Sequence, residues 1–157
     1  TAGIISYGGK EYKTLNPAFS KSLGIEIVYQ ENDLVPTMNA VENIFIGKEI
    51  TKFGGIVDFK AMHERVVALM QRYRIDIDPL QTIEKMSVSD QQFVKILKAL
   101  MNESKILIMD EPTSSLNERE VEHLFEILRM LKEQGCGIIY ISHKMAEILE
   151  IIKRNES

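Results

Sequence analysis

The sequence predicts an α/β fold with parallel strands and an added helical segment, on two observations. The run ILIM (106–109) is short and continuously apolar, the pattern of a parallel strand buried on both faces, and GIIYISH (137–143) reads as a second buried strand. Between them Val121, Leu124, Phe125, Leu128 and Leu131 recur on one helical face. Strand, helix and strand within about 40 residues make a βαβ crossover, so the two strands should be parallel and joined in the right-handed sense.

The remaining elements follow in order. GIISYGGKEY reads as a hairpin with Gly8-Gly9 at its turn. NPAFSKSLG reads as a short helix capped by Asn16, with Pro17 first and Gly24 as its stop. IEIVYQ, ending at Gln30, is a short strand-like run, and residues 31–49 read as a loop with a short apolar segment. Gly54-Gly55 marks a turn. From Asp58 an amphipathic helix carries Met62, Val66, Leu69 and Tyr73 on one face. DQQFVKILKALM is a second helix, with Phe93, Ile96, Leu97 and Leu100 inward. Asn117 caps the helix between the two apolar runs, with Glu118 and Glu120 at the positive end of its dipole, and Gly135 ends it. His63 and His123 fall off their apolar stripes and are expected to be solvated.

Composition narrows the function classes. The chain has 157 residues, enough to bury a core, and its hydrophobic (45%) and charged (27%) fractions are those of a globular domain. A net charge of -4 argues against nucleic acid, which demands a dense basic face. Cys136 stands alone, so no intrachain disulfide can form and a reducing compartment is expected, with the thiol acting as a small hydrophobe. No apolar run approaches the roughly 20 residues of a membrane span, so any membrane is met through a partner.

Asp110-Glu111 closes the first buried run, and His143 follows the second. Ligands of open parallel sheets sit beyond the carboxyl ends of the strands, so two acids and an imidazole should gather there. Adjacent carboxylates are tolerable if a divalent cation neutralises one, and an acid after an apolar strand suits Mg²⁺ in phosphate chemistry. The second acid can polarise an attacking water.

VYQEN (28–32), MSVSDQQ (86–92), ILIMDEPTSSLN (106–117) and YISHK (140–144) occur in the order Q-loop, signature, Walker B, D-loop and His switch. In these motifs nearly the whole chain resembles the ATP-binding subunits of ABC transporters. AVENIFIGKE, KALMNESKILIMDEPTSSLNEREV and ISHKMAEI are most similar to the ribose, galactose and xylose importers. The resemblance implies a P-loop NTPase core of ABC type with a helical subdomain. Residues 1–30 would hold the hairpin, short helix and Q-loop strand, and 31–104 the Q-loop, helical subdomain and signature helix. Residues 105–157 would carry Walker B, D-loop and His switch.

By resemblance, Gln30 would touch Mg²⁺ and water, Asp110 would hold Mg²⁺, Glu111 would be the catalytic carboxylate and His143 the switch. Ser87, Ser89, Gln91 and Ser115 would contact ATP, Ser115 within the D-loop at a dimer interface. Ser89 stands where the family carries a glycine and Asp90 adds an anion, so the signature contacts are expected to be altered. The implied cofactors are ATP and Mg²⁺. The implied partners are transmembrane permease subunits, a second ABC domain and, indirectly, a sugar-binding protein, with no nucleic acid. The implied location is peripheral, on the cytoplasmic face of the membrane, with LVPTMNAVENIFI (34–46) docking a helix of the membrane subunit.

Neither Gly9-Lys10 nor Gly47-Lys48 fits G-x-x-x-x-G-K-[ST], since Glu11 and Glu49 follow them and Ile4 and Glu42 hold the first glycine's place. The phosphate cradle is therefore expected before residue 1. The opening without Met and the early stop after the His switch suggest a fragment of a first nucleotide-binding domain, inactive alone, with the strand IIYIS exposed at an edge. The alternatives are a non-catalytic interaction module and an ABC-type head of a DNA-repair or chromosome protein.

Overall fold

The computed structural model describes residues 4–13, 16–29 and 33–144. Strands β1 (Ile5–Tyr7) and β2 (Lys10–Tyr12) form the expected antiparallel hairpin, with Gly8 and Gly9 both at positive φ. Helix α1 (Pro17–Ser22) is capped by Asn16, whose Oδ1 accepts from the Phe19 amide at 2.8 Å. Gly24, at φ +80°, then turns the chain into β3 (Ile25–Val28). Its carbonyl accepts from the amides of Lys105 and Ile106, which launches β4 (Ile106–Asp110) alongside β3. A Cβ at Gly24 would lie 3.1 Å from Lys105 Cγ, so conformation and space both select glycine there.

Helix α5 (Glu118–Glu133) leads to β5 (Gly137–Ile141), and the sheet order is β3-β4-β5, parallel throughout. The expected parallel pairing of the two apolar runs is thus present. Burial on both faces is not. Leu107 and Met109 are buried with Val28, and Tyr140 meets Phe125 edge-on at 6.1 Å, whereas Ile106 and Ile108 are only half-buried. On β5 the same face leaves Ile139 and Ile141 nearly half exposed. Among the described residues the helices cover one side of the sheet, and β5 is an edge strand.

The helical layer comprises α2 (Ala40–Phe45), α3 (Phe59–Tyr73) and α4 (Val88–Leu100). Helix α2 falls where the sequence suggests a loop. Six residues are too few for a 3.6-residue period to register, but Asn39 and Glu42 form a reciprocal capping box. The apolar residues of 34–46 expected to dock a partner are mostly core instead: Leu34, Ala40, Val41, Ile44 and Phe45 are all buried. Burial against α3 and α4 removes them from any partner and leaves exposed Pro36, Thr37, Glu42 and Ile46 on that stretch.

Asn43 on α2 is fully buried and fastens the preceding loop. Its Oδ1 accepts from the Val35 amide at 2.7 Å, and its Nδ2 donates toward the carbonyls of Val35, Met38 and Asn39. The face Met62, Val66 and Tyr73 of α3 is buried as expected, with Met70 in place of half-buried Leu69. Helix α4 begins two residues before the expected Asp90 and is buried almost all round, Gln92 and Lys95 included. Cys136 is buried just before β5, and that burial pushes its thiol pKa up.

Of the two histidines, His123 departs from the solvated reading. His63 is half-buried. His123 Nε2 lies 2.8 Å from the Tyr73 carbonyl, and its ring packs against Phe93 at 5.5 Å. A carbonyl only accepts, so Nε2 carries the proton, and the bond satisfies one of the carbonyls left over at the end of α3.

Asn43→Ala should cost about 1–3 kcal/mol, because the Val35 amide and several carbonyls lose a buried partner; a urea midpoint unchanged from wild type would refute this. The exposed isoleucines on edge strand β5 are expected to drive concentration-dependent association, reduced by Ile139→Lys or Ile141→Lys in sedimentation velocity. Identical sedimentation of wild type and both variants would count against it.

Candidate functional site at the ends of two parallel strands

Strands β4 and β5 run in register from Ile106 opposite Gly137 to Asp110 opposite Ile141, so both end at one rim. The Glu111 amide donates to the Ile141 carbonyl at 2.9 Å, which extends the ladder by one residue. The chain then breaks away: Glu111 has φ 49°, a left-handed conformation unusual for a residue with a side chain. Pro112 follows, and a proline disfavours right-handed helical geometry in the residue before it. Buried Pro112 and Thr113 begin the turn, whose Ser114 amide donates back to the Glu111 carbonyl.

This geometry aims the Glu111 carboxylate at the end of β5. Oε1 accepts from the His143 backbone amide at 2.9 Å and lies 2.7 Å from His143 Nδ1. With Glu111 ionised, Nδ1 is the donor and Nε2 of the neutral ring is left as an acceptor. The Glu111 side chain is 12% exposed and that of His143 77% exposed. Glu111 Oε2 is buried and has no hydrogen-bond partner among the described residues. Two donors thus converge on Oε1 and fix the direction of the carboxylate.

Asp110 ends β4 half-buried beside this pair. Among the described residues no group of three or more His, Cys, Asp or Glu side chains could hold a metal ion. Gln30 lies outside the described residues. Lys144 straps the rim, its Nζ donating to the Thr113 carbonyl at 3.4 Å.

The sequence-derived signature residues occupy a different element. Ser87 caps α4, accepting from the Asp90 amide at 3.1 Å, and its Oγ lies 3.0 Å from Ser89 Oγ. Gln91 Nε2 donates to the carbonyls of Ile83 and Met86, holding the short 3₁₀ turn Ile83–Lys85 against the helix start. Ser115 sits half-buried in the turn between Thr113 and Leu116. The structure brings together Glu111 and His143, sets Asp110 beside them, and places Ser87, Ser89 and Gln91 at the start of α4. Sequence reasoning missed the Thr113–Lys144 strap and the left-handed Glu111, for which no local signal exists: a following proline favours extended geometry instead.

The fold is shared with solved ATP-binding cassettes. A dimeric post-hydrolysis ATP-binding cassette bound to ADP and Pi superposes with a TM-score of 0.75 at 22% identity, over 94% of this chain and 65% of that one. Another cassette of an ABC transporter gives 0.76 at 21% identity, over 92% and 61%. The chain belongs to the ABC transporter family, whose model matches residues 1–114. It is 46% identical over 95% of its length to a putative ribose/galactose/methyl galactoside import ATP-binding protein of Rhizobium etli. A protein of the same description from Burkholderia cenocepacia is 43% identical over 98% of the chain. The chain spans 29% and 30% of those two relatives.

The strained, half-satisfied Glu111 implies a stability prediction. Glu111→Gly should be more stable than Glu111→Ala by about 1 kcal/mol, since both lose the His143 bonds and only glycine accepts positive φ without strain. Equal urea midpoints for the two variants would refute that account.

Proposed function

We propose that this chain is part of the ATP-hydrolysing subunit of an ABC importer for sugars. The carrying observation is Glu111, held at Oε1 by the His143 amide and ring with Oε2 buried and unpartnered. Asp110 and Gln30 would hold Mg²⁺, which when bound neutralises charge on the phosphates of ATP. Glu111 accepts a proton from the attacking water, and His143 fixes the carboxylate in place. Ser87, Ser89 and Gln91, at the N-terminal end of α4, and Ser115, in the turn after Glu111, would meet nucleotide across a dimer with a second ABC domain. The relatives' names support sugar import.

The partners in this reading are transmembrane permease subunits and, through them, a sugar-binding protein. The site of action is the cytoplasmic face of the membrane. No helix among the described residues is long and apolar enough to cross a membrane.

These 157 residues contain no G-x-x-x-x-G-K-[ST] loop. The chain alone is therefore expected to bind Mg-ATP weakly and not to turn it over, because positioning of the phosphates dominates phosphoryl transfer. The test compares binding of a fluorescent ATP analogue with Mg²⁺ to this chain and to one carrying a glycine-rich loop ahead of residue 1. Tight binding and turnover only in the longer protein, with Glu111→Gln slowing turnover about 10²–10⁴-fold while binding persists, is the expected result. Turnover by the 157-residue chain that survives Glu111→Gln would overturn the reading.

A further inference from the structure

Beyond the Glu111–His143 pair, a further side chain ties the two strand ends together. The Glu111 amide meets the Ile141 carbonyl, and the His143 amide and Nδ1 meet Glu111 Oε1. Lys144 reaches past Glu111 into the turn that follows it, its Nζ donating to the Thr113 carbonyl at 3.4 Å. The root of that side chain is fixed as well, since the Lys144 amide donates to Ser142 Oγ at 3.0 Å.

The accepting carbonyl is the one that closes this turn. The Leu116 amide donates to it too, at 3.2 Å, so amide and ammonium together use both of its lone pairs. Thr113 is fully buried, at 0% exposure, so water cannot replace a lost ammonium unless the turn shifts. A charged donor also makes the stronger bond, and half-buried Lys144 is screened less than a lysine in open solvent. Exposed Ser114 and half-buried Ser115 ride on the turn so held.

We propose that Lys144 is a positioning residue for hydrolysis, an inference that rests on the reading of this rim as an ATP-hydrolysing site. It holds the Ser114–Ser115 turn in fixed relation to Glu111 and His143. The serine that meets the second domain and the carboxylate that takes the proton from water thereby keep one geometry. The Lys144 ammonium is committed to a backbone carbonyl, so it acts through the turn and not by touching nucleotide. Its removal should therefore lower kcat and leave KM for ATP alone.

The test uses the longer protein that carries a glycine-rich loop, and compares Lys144→Met with Lys144→Arg. Lys144→Met should lower kcat roughly tenfold at unchanged KM for ATP, and Lys144→Arg, which keeps a charged donor, should restore most of the loss. In the 157-residue chain, Lys144→Met should speed amide hydrogen exchange at Ser114 and Leu116 while the amides of β4 exchange as before. An unchanged kcat in Lys144→Met, with Glu111→Gln still slowing turnover, would overturn the role of Lys144 and leave the hydrolytic reading standing. Turnover insensitive to Glu111→Gln would overturn that reading and this role with it. A raised KM for ATP, or faster exchange throughout β4, would also overturn the role, the first by showing contact with nucleotide and the second by showing general loss of the fold.

Discussion

Strand β4 is the constraint on which the rest of the described structure depends. It hydrogen-bonds to β3 on one side and β5 on the other, both in parallel, so its end fixes where theirs can fall. Leu107 and Met109, at 1% and 0% exposure, lock it to the helical side. The ladder continues for one amide past Asp110, and the left-handed turn at Glu111 then directs a carboxylate across to β5. Backbone strain there persists because sheet pairing before it and the buried Pro112-Thr113 turn after it leave the chain no alternative.

Helix α4 couples that sheet to the helical layer. It packs on α2, α3 and β3 and has almost no solvent face, so its register is set by three neighbours at once. The signature residues at its N-terminus and the buried Lys95 on its side are therefore positioned by one element. Burying Lys95 is costly for an ammonium, which explains why its pKa falls and its nitrogen takes a backbone carbonyl.

Much of this was legible in the sequence. The apolar runs, the Gly8-Gly9 turn and the caps at Asn16 and Asn117 appear where local chemistry placed them. Helix α2 was not legible by periodicity, because six nearly all-buried residues show no polar face to contrast with an apolar one. One histidine misled for a related reason. Residues off an apolar stripe look solvated, yet His123 on α5 reaches the end of α3, where a leftover helix-end carbonyl claims its ring nitrogen.

The sequence by itself determined that two apolar strands would end in Asp110-Glu111 and His143, since continuous apolar runs and their polar ends are local properties. It also carried the ordered motifs that place the chain in its family. The tertiary structure decided what those residues do to each other. It joined His143 to one oxygen of Glu111 and left the other buried, and it brought Lys144 to the carbonyl of Thr113. Such groupings bring together residues distant along the chain, and only the pairing of strands and packing of helices sets those distances.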